Sequence, residues 1–217
     1  IITAIASGSS RLNQIAGKVG IETGVCTRYI KNLMDLEIVT KERPITDKAG
    51  KKTVYTISDN LFRFWHRFVP ANISAIASER IASTYSKAIK PYLSTYMGLV
   101  FEKMCRDYLL YYCDELPLDV GEIGTWWGNN PVLKCQEEID IVLISPDKKS
   151  ALFCECKYKN ERIDLDVLDT LKNRATILSQ FTPYYCLFSK SGFTDRLIKK
   201  AADENVLLFT LAQMYGR

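Results

Sequence analysis

The chain has 217 residues, of which 47% are hydrophobic and 25% charged, with a formal net charge of +4; this is the make-up of a globular chain able to bury a core, as one large domain or two small ones. No apolar run approaches the ~20 residues of a membrane-spanning helix and no secretory leader is visible, so a cytoplasmic protein with no membrane partner is expected. Seven cysteines without a CxxC pair point to reduced thiols, and the single histidine, His66, disfavours histidine-rich zinc sites and Ser-His or Cys-His triads.

Charge is unevenly spread along the chain. Residues 1–70 hold eleven Lys/Arg and six Asp/Glu, net +5, whereas residues 71–217 hold eighteen and nineteen, net −1. A local basic excess suits a module that meets polyanions. The chain opens on Ile1 and already reads as helix there, so a piece of a longer protein is expected. Leu12, Ile15, Ala16 and Val19 recur at helical spacing, Gly20-Ile21-Glu22-Thr23 interrupts, and Val25, Tyr29, Ile30, Leu33 and Met34 resume it, with Thr23 as the expected N-cap. Two short helices around a glycine-containing turn predict a helix-turn-helix. Residues 38–43 and 52–57 then read as strands with a tip at 46–51, which completes a winged helix over 1–70. In DNA the second helix would offer Thr27, Arg28, Lys31 and Asn32 to the major groove, and Lys48, Lys51 and Lys52 would touch phosphates. The competing reading is a protein-contact module whose lysines are merely solvated.

The run Asn60 to Val69 carries Phe62, Phe64, Trp65 and Phe68 on one predicted helix, with further helical stretches from Ile73 to Ala88 and around Tyr92. Residues 71–95 are expected to connect two modules; the aromatics suit a core more than base stacking, and His66 among them is expected to be structural.

Residues 96–217 read as helix 96–112, strands near 122–127, 133–144 and 152–157, helix 165–178, strand 184–188, helix 194–203 and strand 206–209. That order predicts a mixed α/β fold with a central sheet flanked by helices. Asp140 lies in the apolar run Glu138 to Ile144, Glu155 and Lys157 in the run Ala151 to Tyr158, and the turn Ser145 to Ser150 joins the two as a hairpin. Alternation puts Phe153, Glu155 and Lys157 on one face and Cys154 and Cys156 on the other. Burying an unpaired charge costs several kcal/mol, so such groups are paired or bind metal. Two carboxylates converging on a hairpin can hold a hard cation such as Mg²⁺, and a lysine beside them can offset charge developing on a phosphorus centre. The bland alternative is a half-exposed Lys-Glu pair contributing ~0.5 kcal/mol. Glu102, on the preceding helix, is a further candidate acid with Asp107 as its competitor; a soft-metal half-site at Cys154 and Cys156 is disfavoured.

This order, with Glu102, Asp140 and Glu155-Cys156-Lys157, resembles the PD-(D/E)XK nuclease superfamily. Together with Tyr55-Thr56-Ile57-Ser58-Asp59-Asn60-Leu61-Phe62-Arg63-Phe64-Trp65, Ile123-Gly124-Thr125-Trp126-Trp127-Gly128, Glu138-Ile139-Asp140-Ile141-Val142 and Glu155-Cys156-Lys157-Tyr158, it is more closely similar to the C-terminal region, of the DUF234 type, of archaeal-type DEXX-box ATPases. The resemblance implies a PD-(D/E)XK nuclease-like domain over 96–217, with Glu102, Asp140 and Glu155 as ligands of Mg²⁺ or Mn²⁺ and Lys157 assisting attack by water. It also implies DNA and an N-terminal ATPase domain as partners, although the chain contains no GxxxxGK[ST] phosphate loop of its own. The alternative function is a non-catalytic DNA- or protein-binding regulatory module of such an ATPase.

Overall fold

The computed structural model describes residues 1–47, 50, 52–131 and 133–216. They divide into two compact units, one formed by Ile1–Arg43 and Asp47–Leu93, the other by Pro44–Thr46 and Ser94–Arg217. No described helix is long and apolar enough to cross a membrane.

The first unit begins with α1 (Ile2–Ala6), α2 (Leu12–Val19) and α3 (Thr23–Asp35), followed by the antiparallel strands β1 (Val39–Glu42) and β2 (Val54–Ile57). Their apolar faces meet in a core of Ala4, Ile5, Ile15, Ala16, Cys26, Ile30, Val39 and Ile57. Gly20 ends α2 in the left-handed conformation, φ 76°, where a side chain would be strained. The N-cap of α3 is Glu22 and not the expected Thr23: Glu22 has the extended backbone, its carbonyl accepts from Cys26 N–H at 2.9 Å, and Thr23 is the first helical residue. Both strands are shorter than expected because local bonds compete with the ladder. Asp47 Oδ2 accepts from Lys52 N–H at 3.0 Å and Thr53 Oγ1 donates to Gly50 O at 2.9 Å. The aromatic run forms α4 (Asn60–Phe68), capped by Asp59, whose carboxylate accepts from Phe62 N–H at 2.6 Å. Two short helices follow, α5 (Ile73–Ala77) and α6 (Ile81–Thr84), and a π-helical turn at Tyr85–Ile89 precedes α7 (Lys90–Tyr111).

The second unit holds one five-stranded sheet in sequence order, β3 (Glu122–Asn129), β4 (Gln136–Ile144), β5 (Ser150–Lys157), β6 (Thr182–Ser189) and β7 (Leu207–Thr210). The first two pairings are antiparallel and the last two parallel. Crossovers through α8 (Leu165–Ala175) and α9 (Asp195–Asp203) supply the parallel connections. On one face Val142, Phe153 and Leu187 meet Leu168, Leu171 and Leu197 of these two helices. On the other, Ile141, Leu152, Cys154, Phe188 and Phe209 meet Phe101, Cys105, Tyr108 and Leu109 of α7. The expected mixed α/β sheet flanked by helices is therefore the observed one, covered on both faces and accordingly nearly continuously apolar in β4 and β5.

Several boundaries differ from the sequence reading: α7 begins at Lys90 and not at residue 96, and α8 ends at Ala175 and not at residue 178. Residues 133–135 turn instead of extending: Lys134 adopts φ 52° and Asn130 Oδ1 accepts from Leu133 N–H at 3.0 Å. A closing helix, α10 (Leu211–Tyr215), was not expected, although Thr210 and Gln213 form the reciprocal capping box that announces it.

Candidate active site

The central strand β5 places Glu155 and Lys157 on the sheet face covered by α8 and α9, and Cys154 and Cys156 on the face toward α7. This follows the period-two alternation of the strand. Glu155 is only 4% exposed and Lys157 is half-buried.

Asp140 owes its position to a bulge. Along β3 and β4 the pairing passes from Gly124↔Val142 to Trp126↔Ile139, two steps on one strand and three on the other. The extra β4 residue lies at Asp140 and Ile141, opposite Thr125, and such an insertion re-aims the side chain it carries. Pairing between β4 and β5 ends at Ile141↔Cys154. Beyond it Asp140 Oδ2 accepts from Cys156 N–H at 2.7 Å, so a carboxylate stands where a strand carbonyl would otherwise pair. Thr125 Oγ1 donates to the Asp140 carbonyl at 3.0 Å and accepts from Arg106 Nη2 of α7 at 2.7 Å.

Glu155 is held by two cations. Lys157 Nζ lies 2.5 Å from Oε1, and Arg174 Nη1 lies 3.3 Å from Oε1 and 3.2 Å from Oε2. The same guanidinium donates from Nε to Glu137 Oε2 at 2.8 Å. Arg174 was not singled out in the sequence. It stands at the end of α8 beside the buried stripe Leu168, Leu171 and Ala175, and the only signal was a charge bordering that stripe.

Of the two competing helix acids, Asp107 pairs with Lys103 at 3.1 Å on an exposed surface. Glu102 is instead in electrostatic contact with Glu155 and Asp140. Burial, then the charges of Glu138 and Glu155, push the Glu102 pKa up to about 7 against the opposing pull of Lys157 and Arg106. Asp140 is likewise raised well above the carboxylate range, by burial and then by Glu155 and Glu102, with the Cys156 N–H and Lys157 offsetting part of the rise. Burial works against the Lys157 ammonium, but Glu155 outweighs it through charge and hydrogen bond, leaving the lysine above its ordinary value.

Among the described residues no group of three or more His, Cys, Asp or Glu side chains is drawn together around a metal position. The donor chemistry of Glu102, Asp140 and Glu155 nonetheless fits a hard divalent cation: all donors are oxygen, and burial followed by mutual repulsion raises two of the three pKa values, a cost to the charged forms that such an ion would relieve. The thiols behind them do not fit a soft metal, because Cys156 is buried beside Cys105 and held in its neutral form.

In the first unit Thr27, Arg28, Lys31 and Asn32 are all exposed on α3 and Lys52 is exposed beyond it. The Thr27 hydroxyl donates back to the Thr23 carbonyl at 2.8 Å. Lys48 and Lys51 lie outside the described residues. His66 stacks edge-on against Phe62 at 4.4 Å and borders an apolar cavity of about 490 Å³ with Ile1, Val19, Tyr29 and Leu33.

Compared with known proteins, residues 65–174 match the model of a family described as Archaea bacterial proteins of unknown function, DUF234, about half of the chain. That span contains Glu102, Asp140, Glu155, Lys157 and Arg174. An uncharacterized protein of Methanocaldococcus jannaschii, MJECL04, is 32% identical over 219 residues; the match takes in 97% of this chain and 46% of that relative's length. Among solved structures, protein VC1899 from Vibrio cholerae is similar over 93% of this chain and 42% of its own, at 13% identity and a TM-score of 0.40. Can2 from Sulfobacillus thermosulfidooxidans, in complex with cyclic tetra-adenylate, is similar over 91% of this chain and 46% of its own, at 11% identity and a TM-score of 0.31. Both structures are too distant to speak to function.

Proposed function

We propose a function on one premise: the chain belongs to the DUF234 family. In this reading residues 96–217 are a PD-(D/E)XK nuclease-like domain that hydrolyses phosphodiester bonds in DNA, residues 1–70 are a winged helix that binds DNA, and residues 71–95 connect them. The observation that supports it most is the Asp140 bulge, which brings a carboxylate beside the buried Glu155 and its half-buried partner Lys157, with Glu102 in electrostatic reach.

Glu102, Asp140 and Glu155 would hold Mg²⁺ or Mn²⁺, which when bound supplies positive charge to the phosphoryl oxygens and makes a water easier to deprotonate. Asp140 is oriented for this by the Cys156 N–H, and Glu155 by Lys157 and Arg174. The Lys157 ammonium stabilises the attacking hydroxide and the charge that develops as the phosphorus–oxygen bond breaks. The longer protein, as the sequence resemblance implies, would join this region to an ATPase domain.

Purified protein incubated with single-stranded, duplex and branched DNA in Mg²⁺ or Mn²⁺ should cleave at least one of them, and Asp140→Ala and Lys157→Ala should abolish cleavage. An inert wild type, or variants that cut equally well, would overturn the catalytic reading. One observation favours a second reading, a non-catalytic DNA- or protein-binding regulatory module: the Glu155 oxygens are already occupied by Arg174 and Lys157. That reading expects no divalent-cation binding at millimolar concentration alongside salt-sensitive DNA binding.

A further inference from the structure

Two cations occupy the Glu155 carboxylate, and the inference drawn from this rests on the cation-binding reading above. Arg174 makes three contacts with two carboxylates. Nε is bound to Glu137 at 2.8 Å, Nη1 spans both oxygens of Glu155, and Nη2 has no partner among the described residues. The arginine side chain is 25% exposed, so its outer edge meets solvent while its inner edge reaches a carboxylate that is 5% exposed. With Lys157 on Oε1 as well, one buried negative charge faces two positive ones. A divalent cation approaching Glu155 would be repelled by both.

The two cations are not equivalent. Lys157 is two residues from Glu155 on the same strand, whereas Arg174 arrives from α8 and is anchored through Nε to a second acid. With that anchor as pivot, the guanidinium can leave Glu155 without losing Glu137. A planar guanidinium also binds a phosphodiester anion through two parallel N–H bonds, which an ammonium cannot do.

We infer that Arg174 is a gate on the carboxylate centre: it neutralises Glu155 in the free protein and releases it to a divalent cation when a phosphodiester offers the guanidinium another anion. Cation and nucleic acid then bind cooperatively, each favouring the state in which Arg174 has swung away from Glu155.

The test is Mn²⁺ affinity of the full chain by calorimetry, with and without a thymidine dinucleotide joined by a hydrolysis-resistant phosphorothioate diester, melting curves confirming that each variant is folded. Arg174→Gln should bind Mn²⁺ about tenfold more tightly than wild type, since a positive charge near the ligands is gone. The dinucleotide should tighten Mn²⁺ binding to wild type several-fold and leave Arg174→Gln unchanged. Arg174→Lys, which keeps the charge but loses the two-pronged contact, should bind Mn²⁺ as weakly as wild type and ignore the dinucleotide; it carries the test if the glutamine variant does not fold. Equal or weaker Mn²⁺ binding by Arg174→Gln would overturn the gate and leave the cation site standing. A wild type, or an Arg174→Lys protein, whose response to the dinucleotide departs from these outcomes would overturn release by phosphate. Absence of Mn²⁺ binding by both wild type and Arg174→Gln would overturn the cation-binding reading and the gate with it.

Discussion

Glu102 shows how one side chain registers the whole centre. Its carboxyl is ordinary in sequence, an acid on a long helix, yet burial and the charges of Glu138 and Glu155 carry its pKa from 4.5 to about 7. A carboxyl raised on folding is easier to protonate in the folded chain than in the unfolded one. Its contribution to stability is therefore fully present below pH 4.5 and is lost as pH rises through about 7. The largest loss corresponds to about 3 kcal/mol, reduced by whatever solvent screening reaches the group. In EDTA, Glu102→Gln should lose less stability across that window than wild type, with Asp140 supplying the remaining decline, and at pH 8 the variant should be the more stable protein by urea titration. Parallel pH profiles for the two would show that the Glu102 environment is not as described.

At the scale of elements, the carboxylate hairpin depends on where pairing stops. The bulge opposite Thr125 and the end of the β4–β5 ladder at Ile141↔Cys154 leave the Cys156 N–H to Asp140. Asp140 is thus both a strand-pairing substitute and a source of charge repulsion, and the two roles can be separated. Asp140→Asn keeps an acceptor and removes the charge, so in metal-free buffer it should be at least as stable as wild type. Asp140→Ala leaves the amide without its partner and should cost about 1–3 kcal/mol by denaturant titration. If the two variants are equally stable, the Cys156 bond contributes nothing. The strands themselves were readable because β4 and β5 are short apolar runs rich in β-branched or aromatic residues, and the turn from Ser145 to Ser150 carries its own proline and polar residues. The bulge was not readable: Ile139-Asp140-Ile141-Val142 looks like regular alternation, and only its mismatch with β3 adds the extra residue.

For the molecule as a whole, two compact units carry opposite charge tendencies, and each can be tested alone by substitution in the full chain. Exposed Arg28 and Lys31 lie three residues apart on α3. If the first unit holds DNA there, reversing both to Glu should weaken duplex affinity at least tenfold and lower the slope of log affinity against log salt by roughly 2, read by fluorescence anisotropy. An unchanged affinity and slope would assign DNA binding elsewhere or remove it.

Composition, periodicity and motif order by themselves determined the mixed sheet, its element order and the positions of Asp140, Glu155 and Lys157, because hydrophobic period and turn chemistry are local properties of a chain. Tertiary structure alone decided two things: that Asp140 stands on a bulge, and that Arg174 closes on Glu155. Each depends on the register between strands or on where a crossover helix ends over the sheet. Those are relations between segments distant in sequence, and no local pattern records them.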